Sequence, residues 1–311
     1  MTKIAGDFYL TEISDLKSIS SEDLIINLEF PIIKKASPVS NKITLGNQDS
    51  FLESFRTFPY GVTLANNHIL DHGKNGLLST IDYLEANNIK YCGVGTTKNN
   101  FNNPLVTAEN FHIHNYCCES TNLVSFDHGI GVSLIDEVKI ISDIQKSKIT
   151  KSRGVIIVLH WGEEEIKYPK DEDVKLARKL IDSGADIVIG HHSHVIQSQE
   201  LYKNRKIFYG IGNLAFDDIY SDSKLRKNLI KRQLNRNKSS LLINISEDLE
   251  INYESLYYKN RMLSKIRNES EITVPRKGKF QKALKYHIRK IKLLNFIKAP
   301  HKLSLKKLRK F

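Results

Sequence analysis

The chain is poor in sulfur and indole, with three cysteines, two methionines and one tryptophan in 311 residues. Cys117 and Cys118 are adjacent, and no Cys-x-x-Cys or Cys/His finger spacing occurs. That excludes a disulfide framework and a zinc-finger module, and a reducing compartment is expected. No apolar run approaches the ~20 residues of a helical membrane span. The first apolar stretch opens at about Lys3, with no charged and then apolar leader before it, so a cytoplasmic protein is expected. Acidic residues are missing from one place. Arg276 to Phe311 holds fourteen Lys and Arg and no Asp or Glu; the overall +12 less those fourteen leaves residues 1–275 at −2.

What the chain does have is histidine at one point. Gly190-His191-His192-Ser193-His194 places three of the eleven histidines within four residues, directly after the apolar run Ala185-Asp186-Ile187-Val188-Ile189. That run reads as a buried strand. Open α/β sheets keep their ligand crevice beyond the carboxyl ends of such strands. Four more apolar runs end alike. Lys3-Ile4-Ala5-Gly6 delivers Asp7, Leu24-Ile25-Ile26 delivers Asn27-Leu28-Glu29, Val62-Thr63-Leu64-Ala65 delivers Asn66-Asn67-His68, and Val155 to Leu159 delivers His160. Asp, Asn and His are common in turns, but five strand ends with mixed donors point to a hydrolytic metal centre. Imidazole suits zinc and iron, and carboxylate and amide oxygens suit manganese. Glu29 is placed to bridge two ions, ~3.5–4 Å apart in two-metal hydrolases.

Between these motifs, strands alternate with helical patterns. Leu77-Leu78, Ile81 and Leu84 predict one helix before a strand at Ile89–Gly93, and Val174 to Ile181 predicts another before the histidine strand. The expectation is an α/β protein of packed layers.

Read in order, the segments resemble the capsule-synthesis CapA family, also called PgsA-type poly-γ-glutamate synthesis proteins, within the calcineurin-like metallophosphoesterases. The resemblance rests on Gly6-Asp7 with Leu10, Asn27-Leu28-Glu29 with Pro31, and Ala65-Asn66-Asn67-His68 with Asp71 and Gly73. It continues through His160-Trp161-Gly162 with Glu164 and Pro169, then Gly190-His191-His192-Ser193-His194 with Gln197, and Ile211-Gly212-Asn213 with Asp217. It implies a four-layer α/β/β/α sandwich; the charge distribution sets the domain over residues 1–275 and a basic helical tail over 276–311. The resemblance implies one or two divalent ions, Mn, Fe or Zn. Asp7, Glu29 and His194 would hold one; Glu29, Asn67, His160 and His192 the other. His68 would act as acid or electrostatic stabiliser with Asp71 as its partner. His191 falls outside the ligand pair and joins Trp161, Glu164 and Asn213 as residues expected near substrate, although Trp161 fits core packing equally. Tyr9 stands where phosphoesterases carry a ligand histidine, which leaves the ion count open.

Leu284, Ile288, Ile291, Leu294 and Ile297 recur at helical spacing among the tail's cations, a basic amphipathic helix ended by Pro300. It suits docking on the domain or peripheral association with an anionic membrane. Nucleic acid ranks last, for want of a recognition module. A second basic stretch, Lys224 to Lys238, reads as a solvated insertion. The function expected is a metal-dependent hydrolase in capsule, exopolysaccharide or poly-γ-glutamate synthesis, cutting a phosphoester or amide-type bond of an envelope polymer or small anionic precursor. The alternatives are a non-catalytic assembly factor binding an anionic polymer in the same pocket, and a nucleic-acid phosphodiesterase.

Overall fold

The computed structural model describes residues 1–35, 37–39, 42–96, 103–119, 130–222 and 227–266. The tail over 276–311 and the boundary at 275 lie outside the described residues. The chain begins with β1 (Thr2–Tyr9), β2 (Leu24–Leu28), β3 (Gly61–Thr63), α1 (Gly73–Ala86), β4 (Lys90–Cys92), β5 (Val94–Thr96) and β6 (Leu105–Val106). Then come β7 (Phe111–Cys117), β8 (Ile130–Val132), α2 (Glu137–Ile149), β9 (Gly154–His160), α3 (Asp171–Asp182) and β10 (Ile187–His191). Eight more strands follow among the described residues: β11 (Gln199–Tyr202), β12 (Arg205–Phe208), β13 (Asn213–Phe216), β14 (Ile219–Asp222), β15 (Lys227–Lys231), β16 (Ser239–Ile245), β17 (Ile251–Lys259) and β18 (Met262–Ile266). Both helical patterns and all five strands expected to end in donor residues are present.

Two sheets organise the molecule. The first runs β18-β17-β16-β1-β2-β3-β4, with β13 paired to β1; β1 to β4 are parallel. The second runs β11-β12-β10-β9-β7-β6, with β12, β10, β9 and β7 parallel. Three cores order the layers, because side chains alternate along a strand. Ala5, Ile26 and Val62 pack with Leu77 and Leu84 of α1. Ile4 and Ile25, on the opposite face, pack with Ile156, Val158, Ile187 and Ile189 of the second sheet. Val155, Ile157, Leu159 and Val188 turn outward against Ile140 and Ile144 of α2 and Ala177 and Leu180 of α3. The order is helix, sheet, sheet, helices.

The helices start where their sequences provide for it. Asp136 caps α2 by accepting from the Lys139 N–H at 3.0 Å. The first turn of α3 carries Asp171, Glu172 and Asp173, and Lys179 lies in its last turn, both favourable to the helix dipole. The basic stretch at 224–238 is not simply solvated. Its described part forms β15, which pairs with β14 and whose last residue Lys231 forms an ion pair with Glu164, and a turn at Asn235–Lys238 whose Arg236 pairs with Glu165.

Candidate metal centre

Gly6 brings the first ligand strand into place. A Cβ there would lie 2.0 Å from the Gly212 carbonyl oxygen, so only glycine lets β1 approach the turn before β13 this closely. The Asp7 N–H then bonds Gly212 O at 3.0 Å, and Asp7 faces Asn213 in the pairing. The register shifts between Asp7 and Phe8. Such irregularities re-aim side chains beside active sites; here Asp7 is turned into the cluster while Phe8 and Tyr9 both enter the α1-side core.

Asp7 is fully buried and well supplied with donors. Its Oδ1 accepts from Asn27 Nδ2 and lies beside His191 Nδ1, both at 2.8 Å; its Oδ2 accepts from the His192 N–H at 3.3 Å and lies 3.3 Å from His194 Nδ1. His191 Nδ1 and the other neighbouring imidazoles hold its carboxyl well below the usual range, against burial that alone would raise it. Glu29 is the opposite case. It is also fully buried, yet among the described residues neither carboxylate oxygen has a hydrogen-bond partner. His160 Nε2 and His194 Nε2 approach its Oε1 at 3.5 and 3.8 Å. Burial, with Asp7 close by, pushes its carboxyl well above the usual range.

Two groups of donors meet at Glu29. Glu29, His160 and His192 form one, and Asp7, Glu29 and His194 the other; within each, the candidate ligand atoms lie within 4.8 Å of one another. Asn67 Oδ1 joins the first, 2.8 Å from His160 Nε2. All six side chains expected as ligands are thus brought together, from the carboxyl ends of both sheets. His192 and His194 have positive φ, 79° and 56°, a backbone that non-glycine residues hold at a cost of about 1–3 kcal/mol and chiefly at functional sites. Burial keeps His160 and His192 (the latter down to about 3) in the neutral form that ligates metal. Burial would lower His194 too, but Glu29 and Asp7 raise it to about 9. Without an ion, the paired carboxylates draw a proton to that ring. The buried, partnerless oxygens of Glu29 and the neutral histidines fit a divalent cation.

His68 and Asp71 also meet. His68 Nδ1 lies 2.6 Å from Asp71 Oδ2, which accepts from the Leu45 N–H at 2.6 Å. Lys42, on the loop between β2 and β3, lies 2.7 Å from Asp71 Oδ1 and donates to Asn67 O at 2.6 Å. Asn66 Oδ1 accepts from the His68 and Ile69 N–H groups, fixing the turn that presents Asn67 and His68. His72 serves structure, accepting from the Ser37 N–H at 2.9 Å.

The four residues expected near substrate divide. Glu164 sits beside the cluster in its ion pair with Lys231; burial would raise its carboxyl, but His194 and Lys231 bring it down to about 2. Trp161 does not line the site. It is 2% exposed within the outer core, stacked on Tyr209 and donating its ring N–H to Tyr209 O at 3.0 Å. His191 and Asn213 act on ligands: His191 abuts Asp7, and Asn213 Oδ1 lies 2.9 Å from His194 Nδ1, where it fixes that ring. Tyr9 takes no part as a donor. Its ring packs on Phe30 and Phe216, and burial raises its hydroxyl far above the usual value. Asn27 and Lys42 were not foreseen. Asn27 was visible inside its motif; Lys42 belongs to none.

A two-sheet α/β fold with carboxylates and histidines converging at strand ends defines a metallophosphoesterase-like protein. The chain belongs to the family described as bacterial capsule synthesis protein PGA_cap, whose model matches residues 13–218. It is similar to the capsule biosynthesis protein CapA of Bacillus anthracis, 28% identical over 264 residues, 78% of this chain and 63% of that one. It is similar to the PGA biosynthesis protein CapA of Bacillus subtilis, 29% identical over 170 residues, 49% of this chain and 41% of that one. A Mycobacterium tuberculosis protein named "probable polyglutamine synthesis accessory protein" is 28% identical over 221 residues, 65% of this chain and 57% of that one. The chain therefore spans less than two thirds of the length of these relatives. Among the described residues no helix is long and apolar enough to cross a membrane.

Proposed function

We propose that the chain is a metal-dependent hydrolase serving the synthesis of a capsule or related envelope polymer, acting on a phosphoester or amide-type bond of the polymer or of a small anionic precursor. The observation that carries this reading is Glu29, a buried carboxylate at the end of a first-sheet strand, with neither oxygen hydrogen-bonded among the described residues and with His160 and His194 of the second sheet's strand ends beside it. An isolated buried charge is strongly disfavoured unless paired or metal-bound. Asp7, Glu29, Asn67, His160, His192 and His194 would hold one or two ions of Mn, Fe or Zn. When bound, such an ion supplies Lewis acidity toward a phosphoryl or carbonyl oxygen and brings the pKa of water to about 7. The chain's own residues do the rest. Asn213 and His191 orient His194 and Asp7; His68, steadied by Asp71, handles the proton of the leaving group; Glu164 and Lys231 face the substrate. The basic tail would hold the protein against an anionic membrane.

Turnover of bis-(p-nitrophenyl) phosphate by the metal-loaded protein tests this reading. His68→Ala should keep its metal and lose about 10²–10⁴-fold in rate, the usual worth of acid–base help. Absence of turnover in the wild type would favour a second reading, an assembly factor that binds an anionic polymer in the same pocket. Tyr9 favours that reading, since it removes a nitrogen donor from the first ion's site.

A further inference from the structure

Asp71 is a wholly buried carboxylate with a partner on each side. Lys42 Nζ lies 2.7 Å from Oδ1, and Oδ2 receives the Leu45 N–H and abuts His68 Nδ1, each at 2.6 Å. The Lys42 side chain is itself only 4% exposed. An ammonium brought this far out of water is retained where an opposite charge and further acceptors meet it, and here they are Asp71 and the carbonyl of Asn67. The same loop is fastened at two more points, Val39 N–H to Asp71 O at 2.8 Å and Ser37 N–H to His72 Nδ1 at 2.9 Å. Residues 37, 39, 42 and 45 of the β2–β3 connection are therefore fastened to residues 67–72, with the Lys42 side chain buried among these contacts.

We propose that Lys42 is a positioning residue that fixes the orientation and tautomer of His68. With Lys42 against its Oδ1 and the Leu45 N–H on its Oδ2, Asp71 is placed as an acceptor toward His68, so the proton between them belongs to Nδ1 and Nε2 is the nitrogen left for the reacting group. Which ring nitrogen acts is set by the bond the other makes. Through its bond to Asn67 O, the same ammonium ties the His68 ring to the backbone of a metal-ligand candidate, so ring and candidate ligand keep one spacing. The kinetic consequence rests on the hydrolase reading; the tautomer does not.

Long-range ¹H–¹⁵N correlation spectra of histidine-labelled protein, metal-free and zinc-loaded, read the tautomer directly. The wild type should show His68 protonated at Nδ1 and bare at Nε2, and the reverse tautomer would overturn the proposal. Lys42→Met should keep its zinc content, lose the single tautomer and lower kcat by about tenfold to a hundredfold with KM little changed, as expected when a supporting contact is lost. Lys42→Arg should recover most of both. In the His68→Ala background, Lys42→Met should add almost nothing. A Lys42→Met protein with wild-type tautomer and kcat, or a loss fully additive with His68→Ala, would overturn the proposal. If Lys42→Met does not fold, the wild-type spectrum still decides. If the wild type shows no turnover, the hydrolase reading fails while the spectra still judge Lys42.

Discussion

Glu29 and Asp71 are both fully buried, yet their surroundings differ in kind. Asp71 is compensated by a lysine, an imidazole and a backbone N–H, whereas Glu29 has only the edges of two histidines. Replacing Glu29 by Gln keeps the shape and removes the charge. The expected outcome is loss of most bound metal by elemental analysis, with the metal-free protein melting no lower than the wild type, because burial already disfavours the charged form of the Glu29 carboxyl and the amide has the same shape. Much of this residue scale was legible beforehand. Asp7, Glu29, Asn67, His160, His192 and His194 follow apolar runs and stand where the runs end. Trp161 could also have been placed: counted by twos from Val155 through Ile157 and Leu159, it falls on the outer face, opposite to His160. Lys42 could not be read. It comes from an irregular loop, and nothing in its neighbours announces a burial that the distant Asp71 and Asn67 justify.

At the scale of elements, the strands that end in donors and the helices α1 and α3 were legible because their patterns are strong; α2 and the strands after β10 were not read, and further departures lie where pairing is irregular. The shift at Asp7 and Phe8 puts two consecutive aromatic residues, Phe8 and Tyr9, into one core, which no period of two foretells. Gly6→Ala tests that close approach. A Cβ 2.0 Å from the Gly212 carbonyl cannot be absorbed by a side-chain rotation, so the variant should lose about 1–3 kcal/mol or more in denaturant unfolding, as overpacking does. A second test belongs to α3. Burial raises Asp173, in its first turn, to about 7 from the ordinary 3.8. Between these values the folded chain holds a proton that the unfolded chain has lost, so this residue makes stability fall as pH rises through that window, with the loss complete above about 7. Asp173→Asn still accepts from the Lys170 N–H and carries no charge. Thermal melts should show a flatter decline from pH 4 to 7 and a higher Tm at pH 8 than the wild type.

At the scale of the molecule, two parallel-centred sheets face each other through one apolar core and present their carboxyl ends together, so the cluster needs both sheets to exist. Metal and fold should then be linked. An ion that binds only the folded state at a hundred times its Kd adds about 2.7 kcal/mol, and chelation should lower Tm by several degrees. The tail belongs to this scale too. Deleting residues 276–311 should leave a metal-loaded protein active on small substrates and abolish co-sedimentation with anionic liposomes; an aggregating truncation, with no liposome binding by the full chain, would show the helix docked on the domain instead. The central claim, that Glu29 joins the donors of both sheets into a metal centre, is tested most directly by calorimetric titration of metal-free protein with Mn²⁺ and Zn²⁺. Saturable uptake of about one or two ions per chain, absent in Glu29→Gln, is the result predicted; a wild-type protein that takes up neither ion would contradict it.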